Sequence, residues 1–155
     1  MQNNAGFTLI EALIYSALFS LMMVGMLGAV YMVLQGANQS EARLLVDDEA
    51  NFVLRKINWA LTGVSSINTP VAGSIGSNLN ITKTDVGTVR FRLDNENIEI
   101  DSGAGAYVAL DTVNVAASSL SFQHIPPASS DQPAAVRATF YLNGVFYEIT
   151  KYIRK

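Results

Sequence analysis

Phe7–Leu34 reads FTLIEALIYSALFSLMMVGMLGAVYMVL, 28 residues in which Glu11 is the only charged side chain. A helix needs about 20 apolar residues to cross the hydrocarbon of a bilayer, and this stretch exceeds that. A cleaved secretory signal has a shorter apolar region, about 7–15 residues, closed by a small-x-small site; no such site closes this one. A core helix of a water-soluble domain keeps a polar face, which is missing here. The stretch therefore predicts a membrane-spanning helix.

Downstream, the helical pattern continues with a different composition. Ala42, Val46, Ala50, Val53, Ile57 and Leu61 recur three or four residues apart and form one stripe. Glu41, Arg43, Asp47, Asp48, Arg55 and Lys56 lie largely off it. No proline occurs before Pro70, and Gly63 followed by Ser65-Ser66 supplies a stop. A helix from Phe7 to Leu61 would be about 80 Å long at 1.5 Å per residue, with an outer half suited to packing on a sheet. Gly25, Gly28 and Gly36 interrupt the apolar half. Two readings stay open for them: weak points in the helix, or small residues that let helices approach closely, as Ala12, Ser16 and Ser20 also could.

Residues 65–80, rich in Ser, Asn, Gly and Pro, read as a loop. Beyond them, alternation replaces helical spacing. Val89–Leu93 and Ile98–Ile100 flank the turn-like Asp94-Asn95-Glu96 and predict a hairpin with one wet face. Tyr107–Leu110 and Leu120–Ile125 are further strands. Val136–Leu142 and Val145–Ile153 flank Asn143-Gly144, the strongest hairpin signal in the chain. The expected fold class is α+β: a long N-terminal helix whose outer half packs on an antiparallel sheet of six or seven strands. The expected divisions are 1–6 as a leader, 7–34 as the membrane helix, 35–62 as its amphipathic continuation and 63–155 as the sheet domain.

The residues after position 40 carry 12 acidic and 10 basic side chains. That near-balance gives no strongly basic face, so nucleic acid is not an expected partner. Arg90, Arg92 and Arg137 are the residues that could converge into a basic patch. With no cysteine, a disulfide framework, a thiolate metal site and a cysteine nucleophile are excluded. His124 is the sole histidine, which leaves zinc without a ligand set; it reads as a surface or packing residue. Asp94, Glu96, Glu99 and Asp101 form an acidic cluster, yet calcium needs six to eight oxygen ligands and no loop resembles a cage. Asp47-Asp48-Glu49 reads as a solvated helix face. No serine lies in a Gly-x-Ser-x-Gly context, and Gly103-Ala104-Gly105 has no helix after it, as a dinucleotide fingerprint requires. Neither an enzyme nor a cofactor is expected.

Glu11 is the informative residue of the span. A carboxylate within it costs about 2.5–3.5 kcal/mol. Either Glu11 reaches headgroup water near the end of the span, or a function offsets that cost.

Gly6-Phe7-Thr8-Leu9-Ile10-Glu11, behind a short polar leader and ahead of a long apolar helix, resembles the processing site of type IV pilins and type II secretion pseudopilins. That resemblance implies the following. A prepilin peptidase cuts after Gly6 and methylates the new N-terminal Phe7. Glu11 becomes the fifth mature residue and pairs with the Phe7 amine of a neighbouring subunit, which sets the register of assembly. The amine is largely cationic at neutral pH, and two opposite buried charges each lower the other's desolvation cost. Gly6 lets the backbone extend into the protease. Further partners would be other pilins or pseudopilins, contacted through the helix, the inner-membrane assembly machinery and membrane lipid. The leader contains no Lys or Arg, unlike most of the family; the peptidase site still implies a cytoplasmic leader and a periplasmic or extracellular C-terminal domain.

A looser resemblance covers residues 88–142. The hairpin at Thr88–Ile100, Tyr107-Val108-Ala109-Leu110 with Val113, Leu120-Ser121-Phe122, and Pro133-Ala134-Ala135-Val136-Arg137 follow the segment order of the minor pseudopilin J group and W-type minor pilins. The tryptophan often found in that group's polar loop is absent; Trp59, on the helix, is the only one. The resemblance implies a minor structural subunit of a pilus or secretion pseudopilus. The alternatives are a major pilin, or a competence or adhesion tip pilin that binds DNA or a surface.

Overall fold

A computed structural model of the chain describes residues 8–112, 114–129 and 132–153, and at 38–40 and 42 the backbone alone. Gly6, Phe7, Val113 and the side chain of Ala42 lie outside the described residues. The chain divides into two compact units, Met1–Arg43 and Leu44–Lys155. Helix α1 (Leu9–Ala60) contributes to both.

In the first unit, Leu9–Ala37 is long and apolar enough to cross a membrane. Its apolar side chains stand exposed all round, a surface that demands lipid or protein around it. Ser16 and Ser20 do not break the pattern. Each hydroxyl donates to a carbonyl of the helix itself, Ser16 to Leu13 at 2.9 Å and Ser20 to Ser16 at 2.8 Å.

In the second unit the helix buries one stripe. Val46, Ala50, Val53, Ile57 and Ala60 enter the core, followed by Leu61 and Val64 past the helix end. The expected stripe is thus the packing face wherever its side chains are described. The helix stops where expected: the Thr62 N–H donates to the Trp59 carbonyl at 3.2 Å, and Gly63 takes φ +72°, the left-handed conformation that closes helices most cheaply with glycine.

Nine strands follow among the described residues: β1 (Val64–Thr69), β2 (Ile75–Gly76), β3 (Leu79–Lys83), β4 (Gly87–Asp94), β5 (Asn97–Asp101), β6 (Val108–Ala109), β7 (Ala117–Ile125), β8 (Ala135–Leu142) and β9 (Val145–Tyr152). They form two antiparallel sheets, ordered β1-β3-β4-β5-β6 and β2-β7-β8-β9. Their inner faces contribute Leu79, Ile81, Val89, Phe91, Ile98 and Ile100 from the first sheet and Leu120, Phe122, Val136, Ala138, Phe140 and Leu142 from the second. The rings of Phe91 and Phe122, 6.2 Å apart, join the two sheets.

Two expectations need correction. One sheet of six or seven strands becomes two sheets. Residues 65–80 are not a loop throughout, because β1, β2 and the start of β3 lie there. Their Ser, Asn and Thr side chains form a wet sheet face. Asn68 Nδ2 donates to Asn80 Oδ1 at 3.3 Å and to Thr82 Oγ1 at 3.0 Å, and Ser65 Oγ donates to the Thr82 carbonyl at 2.8 Å. Register shifts in the β1–β3 pairing erase the simple period of two that would have marked β1 as a strand. Both expected hairpins are present. Asn143 (φ 47°) and Gly144 (φ 80°) turn between β8 and β9, and Asn95 (φ 47°) and Glu96 (φ 64°) turn between β4 and β5.

Ile57 sits fully buried between helix and sheets. Ile57→Ala should destabilise a fragment from Leu44 onward, which contains the whole core, by about 2–5 kcal/mol. Urea unfolding of the two fragments measures this; a loss under about 1 kcal/mol would mean that the helix does not belong to the core.

Candidate functional site

Of the residues singled out at the N-terminus, Gly6 and Phe7 lie outside the described residues, and Glu11 lies within. The Thr8 carbonyl accepts the N–H of Glu11 at 3.1 Å and of Ala12 at 3.2 Å. The Thr8 hydroxyl donates to Glu11 Oε2 at 3.4 Å. Thr8 and Glu11 thus form a side-chain pair three residues apart at the helix start. A carboxylate in the first turn also faces the positive end of the helix dipole. These interactions partly offset the cost of placing Glu11 in the span, and they hold its carboxylate at the very start of the helix.

Three polar ties anchor the outer part of α1 to the rest of its domain. Glu49 accepts the Thr112 backbone N–H at 2.9 Å and also the Thr112 hydroxyl. Asp47 Oδ1 accepts the Tyr147 hydroxyl at 2.6 Å; burial and that hydrogen bond push the Tyr147 phenol up to about 12. Lys83, buried on β3, donates from Nζ to the Trp59 carbonyl at 3.0 Å, and its ammonium lies 4.3 Å from the centre of the Trp59 ring. The last turn of α1 has no basic residue of its own, so Lys83 supplies the cation that a helix C-terminus favours. Asp47-Asp48-Glu49 is therefore only partly a solvated face: two of its three carboxylates hold the domain together.

Beside the Glu49 tie, Asp111 is buried. Its Oδ1 accepts the Ile98 N–H at 3.0 Å, and its Oδ2 has no hydrogen-bond partner among the described residues. Burial pushes this carboxyl up to about 6, against the two backbone hydrogen bonds from Asp111 and Ile98, with Glu49 and Glu99 adding to the rise.

The acidic cluster does not converge on a cation. Asp101 is buried, and its Oδ1 accepts the N–H groups of Gly103 (3.1 Å) and Gly105 (3.0 Å) while Arg90 lies 3.3 Å from Oδ2. Gly103 is required there: its φ is +91°, and a Cβ would lie 2.8 Å from the Val86 carbonyl oxygen. Glu99 and Asp94 both pair with Arg92, at 2.7 and 3.2 Å. Arg92 also stacks on Tyr107, 3.9 Å from the ring centre.

The three arginines of the supposed basic patch are not on one sheet. Arg90 and Arg92 belong to β4, whereas Arg137 belongs to β8 in the other sheet and pairs with Glu148 at 3.8 Å. Each guanidinium has a carboxylate on a neighbouring strand within 4 Å: Asp101 for Arg90, Glu99 for Arg92 and Glu148 for Arg137. His124 fills a packing role: its Nδ1 lies 3.0 Å from the Pro70 carbonyl, and its backbone bonds with Gly73 and Ser74, pinning the β1–β2 connection to β7.

With this geometry established, comparison with known proteins adds one positive finding. Residues 1–27 match the family model of the prokaryotic N-terminal methylation motif. The match supports a type IV pilin-like prepilin signal at the N-terminus. No curated protein and no solved structure matches the chain.

Asp111 makes a pH dependence measurable. Between the ordinary carboxylate value near 4 and about 6, the folded chain holds this proton and the unfolded chain releases it. The stability contributed is complete below the ordinary value, and it is lost as pH rises through about 6. Melting curves of wild type and Asp111→Asn should therefore diverge over that window, with the variant gaining relative to wild type as pH rises. A constant difference between the two curves would contradict this assignment.

Proposed function

We propose that the chain is a structural subunit of a type IV pilus or type II secretion pseudopilus. Prepilin peptidase cuts it after Gly6 and methylates Phe7, and the mature chain assembles through its apolar helix. The observation that carries this reading is the methylation-motif match over residues 1–27, placed directly before a span-length apolar helix. Glu11 then pairs with the Phe7 amine of a neighbour. Its place in the first helical turn favours that pairing, because the carboxylate is held close to the height at which a neighbour's helix begins. The uncleaved chain sits in the inner membrane with its leader cytoplasmic and the sheet domain on the far side.

Within this reading the chain is a minor subunit. The support is the segment order described above, which falls on the hairpin β4–β5, then β6, β7 and the Pro133 approach to β8. The three arginines that would make a basic patch are split between the two sheets, which gives no support to a DNA-binding tip.

Gly6→Ala should leave the leader attached and abolish assembly, read by gel mobility and by recovery of the chain in sheared filaments. Glu11→Val should still insert, more favourably by about 2.5–3.5 kcal/mol, and be recovered in filaments at a small fraction of the wild-type level. Normal recovery of Glu11→Val would remove the pairing role and leave Glu11 as a helix-start residue.

A further inference from the structure

The β8–β9 hairpin ends in an apex unlike the other tight turns of the domain. From Ala138 to Tyr147 the chain carries no charged residue. Tyr141, Val145 and Phe146 nevertheless stand 39%, 48% and 51% exposed, and the rings of Tyr141 and Phe146 lie 5.3 Å apart. Asn143 and Gly144, at the turn itself, are exposed as well. By contrast, the turn between β3 and β4 carries Asp85, and the turn between β4 and β5 carries Asp94 and Glu96.

The apex lies close to the point where the chain enters this domain. The Tyr147 hydroxyl donates to Asp47 at 2.6 Å, three residues after Leu44, the first residue of the second unit. From Tyr147, three residues of strand, about 10 Å, reach Gly144. Leu44 and Leu45 are also exposed. Seven residues of chain lead from Ala37, the end of the span-length segment, to Leu44. Even fully extended they reach no more than about 25 Å. An uncharged, aromatic apex is thus tethered near whatever surrounds the span.

We propose that the apex of the β8–β9 hairpin is a second membrane contact, with Tyr141, Val145 and Phe146 seated at the headgroup–acyl boundary of the bilayer that holds the span. The inference rests on the membrane placement in the reading above, and not on cleavage or assembly. A tyrosine ring with an apolar body and a polar tip suits that boundary. Val145 and Phe146 add apolar area that water does not favour, and no charge at the apex has to be desolvated. The helix leading in carries Glu41, Asp47, Asp48 and Glu49 against Arg43, so an anionic surface offers it no attraction. The contact is therefore apolar and forms on zwitterionic lipid.

Trp59, the sole native tryptophan, lies fifteen residues beyond Leu44, about 22 Å along the helix, and serves as the control. Full-length chains are reconstituted into phosphatidylcholine vesicles with and without brominated acyl chains, which quench tryptophan on contact. In a Trp59→Phe chain that also carries Phe146→Trp, the expected result is blue-shifted emission and quenching several-fold stronger than that of Trp59 in the wild-type chain. Adding Val145→Asp should cut that quenching several-fold, and replacing part of the lipid by phosphatidylglycerol should not raise it. Unquenched emission typical of a water-exposed tryptophan would overturn the proposal and leave the span and its assembly role standing. A blue shift without quenching would overturn it too, because protein and not lipid would then cover the apex. Equal quenching of the two reporters would place the whole domain, rather than its apex, on the bilayer and so overturn the assignment. A chain that does not enter vesicles would sink the span reading along with it.

Discussion

One helix must satisfy two solvents. From Leu9 to Ala37 it is apolar on every side, which only a bilayer or a bundle of like helices can accommodate. From Leu44 to Ala60 it offers one buried stripe to a domain core and charged residues elsewhere. Core residues after residue 60 cover that stripe. The two sheets supply the apolar inner faces, and the ties at Asp47, Glu49 and the Trp59 carbonyl bind the helix to β9, to the segment after β6 and to β3.

The same constraint explains where charge is kept and where it is neutralised. Within the apolar half there is a single ionisable acid, Glu11, and it lies in the first turn, where the helix dipole and Thr8 lower its cost. Within the domain, several buried or half-buried charges have partners: Asp101 in Arg90 and two backbone amides, Glu99 in Arg92, Lys83 in a helix carbonyl. Asp111 differs. One of its oxygens is buried with no partner among the described residues, and its carboxyl is pushed up to about 6. Its titration makes the stability of the domain respond to pH near that value.

Features of the chain that depend on local pattern were legible in the sequence. Length and composition mark the apolar helix, spacing of three and four marks the outer stripe, and Asn143-Gly144 marks the last hairpin. Features that depend on long-range pairing were not. β1 reads as a loop because its polar residues answer to β3, and their ladder of Asn68, Asn80 and Thr82 exists only once the two strands meet. Division into two sheets is likewise invisible, because alternation marks a strand's faces and not its neighbours. The arginines looked free because their carboxylate partners stand on other strands, Asp101 and Glu99 on β5 and Glu148 on β9. The contact between Thr8 and Glu11 follows from a spacing of three at the helix start.

In the function proposed here, the signal at Gly6–Glu11 gives the rest of the molecule its place, since a span that keeps its leader has no Phe7 amine for Glu11 to meet. The most direct test is the N-terminal mass of the mature chain purified from membranes and from sheared filaments. The account predicts a chain that begins at Phe7 and carries one methyl group on its amine. A chain that begins at Met1, or at any residue other than Phe7, would contradict it.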